Sequence, residues 1–160
     1  MAIMAGIDEA GYGPTIGPLV VTGVVFNVPD NYTNKCLWHL LGDVVTKIGQ
    51  GRGDRIVVDD SKKVYSPCGL KRIEDGTLSF LWCLKGPVTS FLELLKALSC
   101  YDGDVLSGYP WYAGKDLSLP IASNPLAIAN NVQLLTRAMA EKGIKLHGIR
   151  SVPVSTIEFN

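Results

Sequence analysis

Apolar residues near the start of the chain fall into two runs separated by a polar, glycine-rich break. Ile3 to Ile7 is the first run and predicts a short strand. It gives way to Asp8-Glu9-Ala10-Gly11-Tyr12-Gly13-Pro14, which predicts a turn. The second run, from about Pro18 to Phe26, carries Val20, Val21, Val24 and Val25. Its β-branched, nearly continuous apolar character predicts a central strand with both faces covered. The short connection makes the two an antiparallel pair.

Val28-Pro29-Asp30 closes the second strand. A helix is expected from Thr33 to Ile48, with Leu37, Leu40, Leu41, Val44, Val45 and Ile48 on one broad face and Asn31 or Thr33 as cap. Gly49-Gln50-Gly51-Arg52-Gly53 ends it. Ile56-Val57-Val58 then leads into a charged loop, Asp59-Asp60-Ser61-Lys62-Lys63. A short helix over Gly69 to Asp75 is expected before a third strand, Leu78 to Leu84. Pro87 to Ser99 reads as a helix with Phe91, Leu94, Leu95 and Leu98 inward. Tyr101 to Pro120 is irregular and aromatic, reading as a binding loop or as a packed insertion. Asn124 and Pro125 open the clearest helix, to Lys142, because asparagine caps well and proline fits the first helical position. Gly143 stops it. Ser151 to Phe159 is a final strand, weakened by Pro153.

The 160 residues suit one globular domain, and 47% apolar with 19% charged residues argues against disorder. Lys plus Arg total 15 and Asp plus Glu total 15. Zero net charge excludes a basic coating protein but not a nucleic-acid enzyme, which needs only a local basic patch. Cys36, Cys68, Cys83 and Cys100 form no Cys-x-x-Cys pair, and His39 and His147 lie far from them in sequence, so the thiols read as reduced and mostly buried. The opening block carries Asp8 and Glu9 where a signal peptide would be apolar, and no run of 18 apolar residues exists. A cytoplasmic protein without a membrane span is expected.

Three places carry candidate chemistry. Asp8 and Glu9 are adjacent carboxylates at the predicted end of the first strand. Neighbours on a strand face opposite ways, so both reach one site only if the strand ends there and the chain turns. Gly11 and Gly13 permit that turn and a close approach of backbone amides to a ligand. Two carboxylates together repel unless a divalent cation lies between them. Asp60-Ser61-Lys62-Lys63 sets lysines suited to phosphate beside acids suited to metal. Glu158, toward the end of the last strand, would converge with Asp8 if the two strands are neighbours. On residue types alone, the first two places also read as a surface turn and a solvated loop.

The stretch Gly6-Ile7-Asp8-Glu9-Ala10-Gly11-Tyr12-Gly13-Pro14, with Gly17-Pro18-Leu19-Val20-Val21 after it, resembles the opening motif of type 2 ribonucleases H (ribonuclease HII). That family's pattern is Gly-x-Asp-Glu-Ala-Gly-Arg-Gly-Pro, then Gly-Pro and a valine-rich strand. Asp60-Ser61-Lys62-Lys63 resembles its second motif, and the helix from Asn124 resembles the one before its third carboxylate. The resemblance implies an α/β fold: a ribonuclease H-like mixed sheet opening with an antiparallel hairpin, helices on its faces. It implies Asp8, Glu9 and Glu158 as catalytic, metal-binding carboxylates for Mg²⁺ or Mn²⁺, with Glu158 where the family has aspartate. It implies Gly11, Tyr12, Gly13, Lys62 and Lys63 as substrate-binding residues. Tyr12 replaces the family arginine and so removes a fixed positive fork. The family's fourth carboxylate and its sugar-packing tyrosine have no counterparts here. A single ribonuclease H-like domain over residues 1–160, incomplete at its C-terminus or divergent, is therefore expected.

The implied activity is metal-dependent hydrolysis of the RNA strand in RNA/DNA hybrids or in ribonucleotide-containing duplex DNA. Lys62 and Lys63 would position phosphates, while backbone near Gly11 to Gly13 would meet the 2′-hydroxyl. One rival is a catalytically inactive nucleic-acid-binding domain of the same fold. A second is an ATP-binding actin-like domain, which usually needs two large related halves. A dinucleotide-binding fold is poorer, since Gly11-Tyr12-Gly13 lacks the third glycine at the required spacing.

Overall fold

A computed structural model of the chain describes residues 1–11, 18–50, 53–99 and 116–154. Strand β1 (Ala2–Ala10) pairs antiparallel with β2 (Leu19–Val28), from Ala2 opposite Val28 to Ala10 opposite Val20. This is the expected hairpin, and β1 runs three residues further than its apolar run predicts. β2 is the central strand, as its valines imply, and its other neighbour is β5 (Lys145–Val154), also antiparallel. One register shift interrupts that second ladder: Val25 faces Gly148 while Phe26 faces Leu146, leaving His147 without a partner. The extra residue keeps both Leu146 and Ile149 directed at the apolar interior. The final strand therefore starts six residues before the expected Ser151, and residues 155–159 of that expectation lie outside the described residues.

The stretch from Thr33 to Ile48 departs from expectation. It holds a 3-10 turn (Asp30–Tyr32), a one-turn helix α1 (Leu37–Leu40) and a short strand β3 (Val45–Thr46). Cys36, not Asn31 or Thr33, precedes α1, and its side chain makes no capping bond. The β-branched run Val44-Val45-Thr46 favours strand, and β3 pairs in parallel with β4 (Ile56–Val57) in a separate two-stranded sheet. The apolar side chains still turn inward: Leu40, Leu41 and Val45 are buried with Ile56.

Asp60 caps α2 (Ser61–Cys68), so the expected charged loop becomes the first turn of a helix. The expected short helix and third strand are instead one helix, α3 (Leu70–Lys85). Leu78, Leu81 and Trp82 are buried at helical spacing, and no β-branched residue falls between Leu78 and Leu84. α4 (Phe91–Ala97) is capped by Ser90, and Leu94 and Leu98 pack inward as expected. α5 (Pro125–Glu141) begins as its Asn-Pro signal predicts: Asn124 Oδ1 accepts the Leu126 N–H at 2.8 Å. Gly143 follows it at φ 63°. Of the aromatic stretch, residues 101–115 lie outside the described residues.

The helices lie over one face of the sheet. Phe26, Val28 and Leu146 pack with Leu135, Ala138 and Met139 of α5. Leu78, Leu81 and Trp82 of α3 pack with Ile128. Among the described residues nothing covers the opposite face, where both faces of β2 were expected to be covered and helices to flank the sheet: Ile3 and Ile7 are 75% and 77% exposed, and Val152 is 47% exposed.

Candidate active site at the end of the first strand

Asp8 and Glu9 lie within the β1–β2 ladder, opposite Thr22 and Val21, and both are exposed. The strand does not end at Asp8, so the turn that would bring both carboxylates to one point begins later, after Ala10. Alternation sends them to opposite faces. Asp8 shares the helix-covered face with Ala2 and Met4, which pack against the core. Glu9 shares the open face with Ile3 and Ile7. The Glu9 N–H donates to Asp8 Oδ1 at 2.9 Å.

Asp8 belongs to a polar row crossing the sheet. Thr22 is its partner on β2, and Ser151 is the partner of Thr22 on β5. The two hydroxyl oxygens are 2.9 Å apart, and Ser151 is 3% exposed. Sequence reading missed Thr22 and Ser151. Thr22 interrupts the strongly apolar β2, which is a usable signal, but the row exists only once the order of strands is known. That order, β1-β2-β5, places β2 between the strand of Asp8 and the strand leading toward Glu158. The condition set for their convergence, direct strand neighbours, is not met by β1 and β5. Glu158 itself lies outside the described residues.

Gly11 is in the left-handed region at φ 88°, and a Cβ there would come within 2.9 Å of the Pro18 carbonyl oxygen. Both facts require glycine, so the turn after β1 depends on it. Tyr12 and Gly13 lie outside the described residues.

The second motif is structured by its acids. Asp60 Oδ1 accepts the N–H groups of Lys62 at 2.9 Å and Lys63 at 3.4 Å, which leaves its carboxylate engaged as a cap. Asp59 accepts from the Asp60 N–H at 2.8 Å and the Ile48 N–H at 3.2 Å. The Asp60 N–H chiefly holds the Asp59 carboxyl below the usual range, with Ile48, Lys63 and Lys47 adding to it. Lys62 and Lys63 are exposed. Lys62 lines an open cavity of about 500 Å³ with Ser61, Tyr65 and Ile73. Ser61 belongs to the motif read from the sequence, whereas Tyr65 was not singled out there. Its i, i+4 spacing from Ser61 on one helix face is what would have shown it.

Carboxylate oxygens are the donors a hard cation such as Mg²⁺ takes. Among the described residues, no three His, Cys, Asp or Glu side chains come together to hold a metal ion. On the helix-covered face, the motif contributes Asp8 alone.

The sheet, opening on an antiparallel hairpin with helices packed over it, is an α/β arrangement consistent with a ribonuclease H-like one. Ribonuclease HII of Aliarcobacter butzleri (strain RM4018) is 33% identical to this chain over 109 residues. The match takes in 62% of this chain and 47% of that protein, so the chain spans about half the length of the curated relative it matches. No family model matches the chain, and no solved structure matches it. The likeness marks a distant relationship to ribonuclease HII. No helix among the described residues is long and apolar enough to cross a membrane.

Proposed function

We propose that residues 1–160 form a single ribonuclease H-like domain of a cytoplasmic, metal-dependent endonuclease. Its substrate would be the RNA strand of RNA/DNA hybrids, or the ribonucleotide in ribonucleotide-containing duplex DNA. The observation that carries the reading is the position of Asp8. It stands near the end of the first strand, in a row with two hydroxyls, just before a turn that sterically requires Gly11. The distant likeness to ribonuclease HII supports the same reading.

On this reading Asp8 would be the central ligand for Mg²⁺ or Mn²⁺, with Glu9 and Glu158 the further carboxylates the resemblance implies, and a metal held there would supply water activation and charge stabilisation for phosphodiester hydrolysis. Backbone around Gly11, Tyr12 and Gly13 meets the ribose 2′-hydroxyl. Lys62 and Lys63 meet backbone phosphates beside the cavity of Ser61 and Tyr65. Asp8→Asn keeps an oxygen to accept the Glu9 N–H, so it should fold normally. We expect it to lose metal-dependent cleavage of a labelled hybrid while melting within a degree or two of wild type. Undiminished cleavage would defeat the assignment.

A second reading has one observation in its favour. Asp8 and Glu9 point to opposite faces of a regular strand, which suits a domain that binds nucleic acid without cutting it. Retained hybrid binding by the wild type, with no cleavage in Mg²⁺ or Mn²⁺, would select it.

A further inference from the structure

β3 and β4 run parallel, so both leave their small sheet at the same end. Thr46 is opposite Val57, and the Val58 N–H donates to the Thr46 carbonyl at 2.9 Å. The next residues therefore emerge together: Lys47 and Ile48 from β3, Asp59 and Asp60 from β4. The carboxyl ends of parallel strands are where α/β sheets commonly present ligand-binding groups. Backbone donors fasten the two exits to each other. Asp59 accepts the N–H groups of Ile48 and Asp60, and Asp60 caps α2, which sets where Lys62 and Lys63 begin.

Trp38 of α1 adds a further tie. Its indole N–H donates to the Val58 carbonyl at 2.9 Å, and the Lys47 ammonium sits over its ring, 4.3 Å from the centre. A ring face attracts a cation without neutralising it or occupying its N–H donors. Lys47 is thus oriented at full charge. After the N–H groups of Asp60 and Ile48, Lys63 and Lys47 also hold the Asp59 carboxyl low, one from α2 and one from the end of β3. Lysines from both exits therefore converge on one turn.

We infer that Lys47 is a third phosphate-contacting cation beside Lys62 and Lys63, with Trp38 as the residue that positions it. A nucleic-acid backbone then runs from the start of α2, across the Asp59 turn, to the end of β3. The inference rests on the reading of Lys62 and Lys63 as phosphate contacts, and it extends that surface beyond the motif that carries the resemblance. The carboxylates of Asp59 and Asp60 accept backbone N–H groups within the turn, and the three ammonium groups leave the surface net positive. Contacts to phosphate fix where a duplex lies and read no bases, so an RNA/DNA hybrid and a DNA duplex should feel Lys47 alike.

The test is binding of a labelled RNA/DNA hybrid by the full chain in EDTA, across a salt series. Each phosphate contact contributes about 0.9 to the slope of log affinity against log salt. Lys47→Met keeps an unbranched apolar side chain against Trp38 and removes the charge. It should lower the slope by about 0.9, as Lys62→Met should, with thermal unfolding near that of wild type. Lys47→Arg should restore the slope. Trp38→Leu should weaken binding of the wild type and add no further loss to Lys47→Met, because its effect passes through Lys47. A wild-type slope in Lys47→Met, with a lowered one in Lys62→Met, would overturn the inference and leave the reading of the motif standing. Additive losses from Trp38→Leu and Lys47→Met would overturn the positioning role. A wild type that binds no duplex would overturn both readings. A slope lowered by Lys47→Met, with a hybrid that stays uncut once Mg²⁺ is added, would support the inference and defeat the proposed cleavage.

Discussion

Glu74 is the charged residue on which the helical layer most depends. It is 5% exposed, on the inner side of α3. Its Oε1 accepts the Ile121 N–H at 2.6 Å, and its Oε2 accepts the Ala122 and Ser123 N–H groups at 2.7 and 2.8 Å. The Ser123 hydroxyl donates to the neighbouring Asp75, which Lys71 pairs at 2.8 Å. One carboxylate therefore fixes the segment that delivers Asn124 to cap α5. Glu74→Ala leaves three N–H groups without acceptors, at about 1–3 kcal/mol each where water is excluded. Ile121 is 60% exposed, so water reaches part of this segment. The expected loss is therefore about 3 kcal/mol rather than the full sum. That is a melting shift of roughly 6–12 °C for a domain of this size. Glu74→Gln retains one acceptor but turns an amide NH₂ toward backbone donors, and should cost about 2 kcal/mol. Urea unfolding followed by tryptophan fluorescence reads both, since Trp82 lies two turns along the same helix. A loss below about 0.5 kcal/mol for Glu74→Ala, with the slope unchanged, would refute the reasoning.

Local signals at α5 should behave likewise on a smaller scale. Asn124→Ala removes the acceptor for the Leu126 N–H and should cost about 1 kcal/mol by the same unfolding assay. Gly143→Ala should cost about 1–2 kcal/mol, because φ is 63° and the new carbon would sit 3.3 Å from Pro29 Cγ. At the start of α4, Glu93 is held below its usual pKa, chiefly by the Thr89 N–H and then by the Thr89 hydroxyl. Asp116 is lowered too, first by the Ser90 hydroxyl and then by the Leu92 N–H. Their stabilisation is present above the unfolded carboxylate pKa and is lost as pH falls through the lower folded value. Amide protection factors in residues 91–94 should therefore fall in acid before those of α5. Burial pushes the Cys83 thiol up. Its stabilising contribution is full below the unfolded thiol pKa and disappears as pH rises through the folded one, so Cys83→Ser should flatten the alkaline loss of stability. Alkylation near neutral pH should label the exposed Cys36 well before Cys83.

What the sequence revealed was what its neighbours in the chain decide. The β1–β2 hairpin follows from a valine run after a glycine turn, and α5 from Asn124 and Pro125 acting within one turn. Leu78 to Leu84 misled because a short, mostly apolar run satisfies both periods. Burial against α5 and β5 made it helical, and that contact is remote in sequence. The stretch after Thr33 departed for a related reason: Val44, Val45 and Thr46 favour strand, and β4 lies alongside to pair with them. At the candidate site, Asp8, Gly11 and the lysines were visible as residue types. The row Asp8, Thr22, Ser151 was not, because it depends on which strand neighbours which.

The unpaired His147 has an effect out of proportion to its size. In an unbroken zigzag, Leu146 and Ile149 would look in contrary directions, since an even count of residues separates them. The histidine absorbs the misfit. The half of the strand that seals the greasy interior and the half that carries the Ser151 hydroxyl can thus be written out of phase and still agree in space. Deleting this one residue leaves both halves oriented as they are, whereas slipping one further residue between Gly148 and Ser151 swings every side chain on one flank to the wrong side.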